Sequence, residues 1–241
     1  MKLNVLYEDN HLIAVYKPAG VLTQRDKTGD ISLVDEVKAY LKEKYQKSGN
    51  VFLGLLHRLD RPVSGIVLFA KTSKGASRLS EQFRNHQIEK TYNAIVMGKI
   101  KKNKGILINH IQKDRNKKRA TIDKKGNGKK AELSYKVLAS NNKFSLLEIK
   151  IKTGRFHQIR AQLSSIGHSI LGDIKYDAPF ALPDKSIALF ATSISFQTAT
   201  SKEKKEISVR IPSQWDSVLK YENNPDRDAS FKEPKITLSR Q

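Results

Sequence analysis

Three features of the 241-residue sequence predict an α+β fold built on a mainly antiparallel sheet. Short β-prone runs outnumber helical stripes. Neighbouring runs are joined by short turns, not by the helices of a regular βαβ array. One run, Gly65 to Ala70 (GIVLFA), is unbroken apolar sequence rich in β-branched and aromatic residues. Such a run marks a strand buried on both faces, at the centre of a sheet. The length fits one large domain or two small ones, with enough chain to bury a core without staples.

The elements follow in order. Val5–Tyr7 and Leu12–Tyr16 read as strands separated by the turn residues Glu8, Asp9 and Asn10. Ser32 with Asp35 three residues on resembles a capping box, and Val34, Val37, Leu41 and Tyr45 recur at helical spacing until Gly49. After the central strand, Ala76, Leu79 and Phe83 mark a second helix, and Ile88–Met97 reads as a strand closed by Gly98. Ala131–Ala139 and Phe144–Ile151 predict an antiparallel pair joined at Asn141-Asn142. Thr153-Gly154 opens a helix whose stripe is Phe156, Ile159, Leu163 and Ile166, ended by Gly167. Arg160 lies at the edge of that stripe, where a guanidinium is costly unless it snorkels to water or meets a carboxylate. A loop runs from Gly172 to Pro183, and Ile187–Phe196 and Ile207–Ile211 read as strands. Trp215–Tyr221 looks like a terminal helix, and Glu222–Gln241 lacks apolar periodicity and is expected to be a tail.

Lys and Arg number 45 against 24 Asp and Glu, a formal charge of +21. In a chain of this size that is the electrostatic footprint of a nucleic-acid binder. The sequence has no cysteine, which excludes disulfides, thiolate metal sites and a cysteine nucleophile. It shows no signal-peptide run and no bilayer-length apolar stretch, so the cytoplasm is the expected compartment. The six histidines lack metal-ligand spacing, and the acidic residues are too scattered for a Mg²⁺ cluster. No P-loop, dinucleotide fingerprint or HExxH occurs, so neither metal nor cofactor is expected. From Lys99 to Lys130 basic residues crowd among Gly and Asn, as in a twisted hairpin or extended loop projecting from the core.

The chemistry concentrates before the central strand, in His57, Arg58, Asp60 and Arg61. In extended chain, Arg58 and Asp60 share one face, His57 and Leu59 the other. Pro62 keeps Arg61 out of the helical region. A carboxylate and a guanidinium thus stand at the mouth of a rigid strand, a usual place for catalytic groups. By local pattern alone, Asp60 reads first as a turn residue, Arg58 as a surface charge and Tyr92 as a strand core residue.

Four stretches in order decide between these readings. HRLDRPVSGIVLFAKT (His57–Thr72) resembles the signature of RluA-type RNA pseudouridine synthases. VYKPAGVLT (Val15–Thr23) resembles that family's first motif, EKTYNAIVMG (Glu89–Gly98) its tyrosine motif, and KTGRFHQIRAQLSSIGHSILGD (Lys152–Asp173) its third motif. The resemblance runs from about Val5 to Pro212. It implies the pseudouridine synthase fold, a mainly antiparallel mixed sheet in two halves flanked by helices, with a central RNA-binding cleft. It also implies roles. Asp60 would be the catalytic carboxylate, Tyr92 would stack on the target uracil, and Arg160 would pair with Asp60. Arg58 would fill the space left by the flipped nucleotide. His57, Arg61, Lys71, Arg155 and His157 would face RNA, joined by Lys117, Lys118 and Arg119 of the basic stretch. Residues 1–221 would form the catalytic domain, with 99–130 as an insertion and no N-terminal S4 domain. The expected substrate is ribosomal RNA or tRNA and the expected state a monomer. Phe156 departs from the family, which often has a small polar residue there, and Ala161-Gln162 stands where Val-His is frequent. Rival readings are a non-catalytic RNA-binding or ribosome-assembly protein on the same fold, and a metal-dependent nuclease.

Overall fold

The computed structural model describes residues 3–114 and 116–219. The tail expected at 222–241 lies outside them. The chain divides into two compact units, Met1–Lys90 with Ala191–Val209 and Thr91–Phe190 with Arg210–Gln241.

In the first unit, β1 (Val5–Glu8), β2 (Leu12–Lys17), β4 (Ser64–Ala70) and β10 (Leu189–Gln197) are neighbours in that order. The two-residue strand β3 (Gly54–Leu55) adds to β4, and β11 (Lys204–Ser208) adds antiparallel to β10. Every residue of β4 is buried, as an unbroken apolar run requires. Helix α1 (Leu33–Lys44) starts at the expected capping box: Ser32 caps Asp35, whose carboxylate accepts the Ser32 amide. It stops before Gly49, because Tyr45 is already the C-cap and Gln46 turns left-handed at φ 46°. Helix α2 (Ser73–Arg84) buries Leu79 against the cluster of Leu12, Ile66, Leu68 and Phe196.

In the second unit the order is β5 (Glu89–Met97), β9 (Phe144–Ile151), β8 (Lys129–Ser140), β6 (Lys104–Asp114) and β7 (Arg119–Ile122). All these pairings are antiparallel. Within the basic stretch β6 and β7 form an antiparallel hairpin, one of the two forms expected, with turns and irregular chain at 99–103, 116–118 and 123–128. The hairpin does not stand off the core: Ile111 and Ala120 pack with Ala131, Tyr176 and Ala161, the last on helix α3 (Gln158–Ser165). Helix α3 begins later than its apolar pattern suggested. His157 is its N-cap in the left-handed region at φ 50°, so Phe156 leaves the stripe and is 39 % exposed. The expected loop after Gly172 contains a 3-10 turn, Ile174–Tyr176, and α4 (Gln214–Leu219) packs on β9.

Candidate active site

Asp60 sits in an extended segment clamped on both sides. Leu59 ahead of it is buried and uses both backbone groups on one hydroxyl: its amide donates to Thr23 Oγ1 at 3.2 Å, and its carbonyl accepts from that Oγ1 at 2.8 Å. Arg61 behind it accepts the Gly20 amide at 2.8 Å and returns an Nε–H to the Gly20 carbonyl at 2.9 Å. The Val63 amide closes a turn onto the Asp60 carbonyl at 3.0 Å. The VYKPAGVLT loop thus fixes the backbone on each side of the carboxylate, which is half-buried. Pre-positioning of this kind spares the entropy of ordering a reactive group.

Beneath the clamp lies Lys17, fully buried. Its ammonium donates to the carbonyls of Pro18 at 3.0 Å, Val21 at 2.7 Å and Arg61 at 3.2 Å. Three carbonyl acceptors match the three donors of a charged lysine. Burial pushes the Lys17 pKa down to about 7; the Asp60 charge opposes the shift and that of Arg61 adds to it. Lys17 therefore ties together the two loops that meet at Asp60 and puts a cation within its electrostatic reach.

The other basic groups of the signature divide. Arg58 is exposed beside Asp60, with no hydrogen bond or ion pair among the described residues. Arg61 is half committed, pairing with Asp30 at 2.7 Å. His57 is used internally: its Nε2 accepts the Leu68 amide at 3.0 Å, and its ring packs on Phe83 with centroids 5.6 Å apart. Burial, with the Lys90 charge adding to it, pushes His57 down to about 3, so it is a neutral structural acceptor in this site. Lys71 is also spoken for, donating to Glu8 at 2.6 Å with 9 % of its side chain exposed. His57 and Lys71 thus both have partners within the first unit.

In the second unit Tyr92 lies on β5 opposite Ile149 and is 7 % exposed. Arg160 meets the carboxylate its burial demanded. Its Nε and Nη2 donate to Asp173 at 2.7 and 2.8 Å, and both side chains are almost wholly buried. The guanidinium also lies over the Tyr176 ring, 4.9 Å from its centroid. Tyr176 Oη accepts the Ala120 amide at 2.7 Å and bonds His157 Nδ1 at 2.9 Å. Arg155 donates Nε–H to the Lys130 carbonyl. Arg119 turns inward, donating to the Lys175 carbonyl at 3.1 Å near Asp177, whereas Lys117 and Lys118 keep exposed side chains.

Residues 11–165 match the family model described as RNA pseudouridylate synthase. The chain belongs to that family. Over 178 residues it is 36 % identical to the uncharacterized RNA pseudouridine synthase YhcT of Bacillus subtilis, covering 73 % of this chain and 58 % of that protein. Over 176 residues it is 35 % identical to the ribosomal large subunit pseudouridine synthase D of Zymomonas mobilis, covering 72 % of this chain and 56 % of the relative. The chain thus spans a little over half the length of these two. With the tRNA pseudouridine synthase C of Haemophilus ducreyi it shares 34 % identity over 89 % of this chain and 93 % of that one. The solved structure of human RNA pseudouridylate synthase domain containing 4 shares the fold, with TM-score 0.72 at 24 % identity over 87 % of this chain and 89 % of that one.

Within this family fold two functional-site residues carried little signal of their own in the sequence. Lys17 reads as one more lysine at the end of a strand, although Lys-Pro-Ala-Gly marks a rigid loop. Asp173 lies 13 residues beyond Arg160 in what reads as plain loop. The need for a carboxylate near Arg160 was legible from burial, but its identity depends on a chain reversal at Gly167–Gly172 that periodicity does not encode.

Proposed function

We propose that the protein isomerises uridine to pseudouridine in structured RNA, ribosomal RNA or tRNA, in the cytoplasm, as a monomer, with Asp60 as its catalytic carboxylate. The observation that carries this is the clamped Asp60 segment within the family signature, fastened at Leu59 and Arg61 and backed by buried Lys17.

The reaction breaks the C1′–N1 bond and forms a C1′–C5 bond, with no net change of electrons. A carboxylate can attack C1′ or the base as a nucleophile, or remove a ribose proton as a base. The target must first leave its stack, which costs a few kcal/mol. Stacking on Tyr92 would return roughly 1–3 kcal/mol per base. Exposed Arg58, two residues from the reacting carboxylate, suits the space the nucleotide vacates. Arg160, held by Asp173, serves as a fixed cation for the same reaction. The excess of Lys and Arg supplies sequence-independent attraction to phosphates.

The test is a map of pseudouridine in total RNA from cells with and without the gene, repeated after adding purified protein to the deficient RNA. One or more sites lost from cells and restored in vitro support the enzyme. Identical maps, with RNA binding retained, favour the non-catalytic binder, and chain cleavage that stops in EDTA favours the nuclease.

A further inference from the structure

Phe156 is the residue whose surroundings the isomerase chemistry does not use. It follows Arg155 at the entry to α3 and is 39 % exposed, although a large aromatic usually goes inside. Two neighbours hold it. Its ring stacks on His157 at 3.7 Å between centroids with a 20° tilt, and Lys113 Nζ sits over the ring 4.9 Å from its centroid. His157 is itself immobilised by its left-handed backbone and its bond to Tyr176 Oη. Tyr176 in turn anchors β7 through the Ala120 amide. Phe156 is therefore a pre-set flat surface, fixed through its neighbour to two elements. Around it lie cations. Lys113 stands over the ring, and Arg155 adjoins it in sequence.

We propose that Phe156 is a stacking platform for an unpaired RNA base, with Lys113 taking the adjoining phosphate. Single-stranded RNA is held in this way, by aromatic faces for bases and cations for the backbone. A cation over an exposed ring is a weak interaction, so a base can displace Lys113, which is long and exposed and can swing to the phosphate it neighbours. The rigid His157 stack means little side-chain entropy remains to be lost on binding. The proposal rests on RNA being the substrate, and its test is separable from the test of isomerisation.

Phe156→Trp places an indole on the platform, and native Trp215 is 1 % exposed, so RNA binding changes the new emission only. Decauridylate, decaadenylate and inorganic polyphosphate are titrated at low salt. Both oligonucleotides should quench the emission, and polyphosphate, which has charge but no bases, should not. Phe156→Ala should weaken decauridylate binding roughly 5- to 100-fold with unchanged salt dependence, and Phe156→Tyr should restore it. Lys113→Ala should instead reduce the slope of log affinity against log salt by about 0.7. Absence of quenching by either oligonucleotide, equal quenching by polyphosphate, or affinity of Phe156→Ala within twofold of wild type would each overturn the platform. Pseudouridine formation separates the two claims. Quenching without isomerisation refutes the enzyme and leaves the platform standing, and isomerisation without quenching does the reverse.

Discussion

Removing Arg160 takes the bidentate donor from buried Asp173, and removing Asp173 takes the acceptor of Nε and Nη2 from Arg160. Arg160→Ala and Asp173→Ala should each lower stability by about 3–5 kcal/mol, because each breaks a buried bidentate ion pair by removing one side of it. The double variant should lose much less than the sum, read as a coupling in a cycle of urea-unfolding free energies. Additive losses would mean that the two side chains do not interact. The same pair shows how far single residues are legible in sequence. The placement of Arg160 at the edge of an apolar stripe called for either water or a carboxylate, and the family resemblance implied Asp60 as a partner. Asp173 supplies a bidentate pair from a loop whose path the sequence does not signal. His57 and Lys71 teach the converse. The resemblance implied that both face RNA, and the contacts of His57 with Leu68 and Phe83 and of Lys71 with Glu8 depend on packing from β4, α2 and β1 that is invisible locally.

Strand β4 is the element around which the first unit is built, and it tolerates no side chain at Gly65. The backbone there has φ 123°, and a Cβ would lie 2.4 Å from the Ala191 carbonyl oxygen. Gly65→Ala should therefore cost about 3 kcal/mol or more, from combined strain and overpacking, measured by thermal or urea unfolding. A loss below about 1 kcal/mol would contradict that close approach. Helix α1 is held to β1 by Glu8, which accepts from Lys44 at 2.7 Å, Lys71 at 2.6 Å, Tyr45 at 2.7 Å and Tyr40 at 3.0 Å. Burial alone would raise the Glu8 pKa, but hydrogen bonds from Lys44, Lys71, Tyr45 and Tyr40 outweigh it and bring the group from 4.5 down to about 2. A depressed acid stabilises the folded state above its unfolded pKa. The contribution of Glu8 is therefore complete above pH 4.5 and lost as pH falls to about 2. Glu8→Gln should flatten the stability profile across that window and change it little in shape above it; an unchanged acid limb would exclude Glu8 as the cause. Most elements were legible because their apolar periods are clean, β4 above all. The start of α3 was not, since Phe156 fits the helical stripe in sequence while the left-handed His157 excludes it in space.

Across the protein as a whole, the formal charge of +21 sets how strongly any RNA is attracted, and individual cations differ in what they contribute. Lys117 and Lys118 are exposed, while Arg119 braces the Lys175–Asp177 turn. Lys117→Ala with Lys118→Ala should weaken RNA binding and leave the single-turnover rate at saturating enzyme unchanged. The salt dependence should flatten by roughly 0.7–0.9 for each phosphate that the variant no longer neutralises. Arg119→Ala should lower the melting temperature with a smaller effect on the salt slope. Wild-type affinity and slope for the lysine pair would move the RNA track to other basic residues. Four ordered motifs made the family legible in the sequence. The clamp on Asp60 was not, because it is made by backbone carbonyls and one threonine hydroxyl.

The proposed isomerisation stands on the Asp60 carboxylate, and tritium release from RNA labelled at uracil C5 reads the work of that group. Asp60→Asn keeps the shape of the side chain and the clamped backbone, so it should fold, bind RNA with wild-type affinity and release no tritium above background. Turnover within about tenfold of wild type by the folded variant, less than about 1.4 kcal/mol in the barrier, would contradict a catalytic role for Asp60.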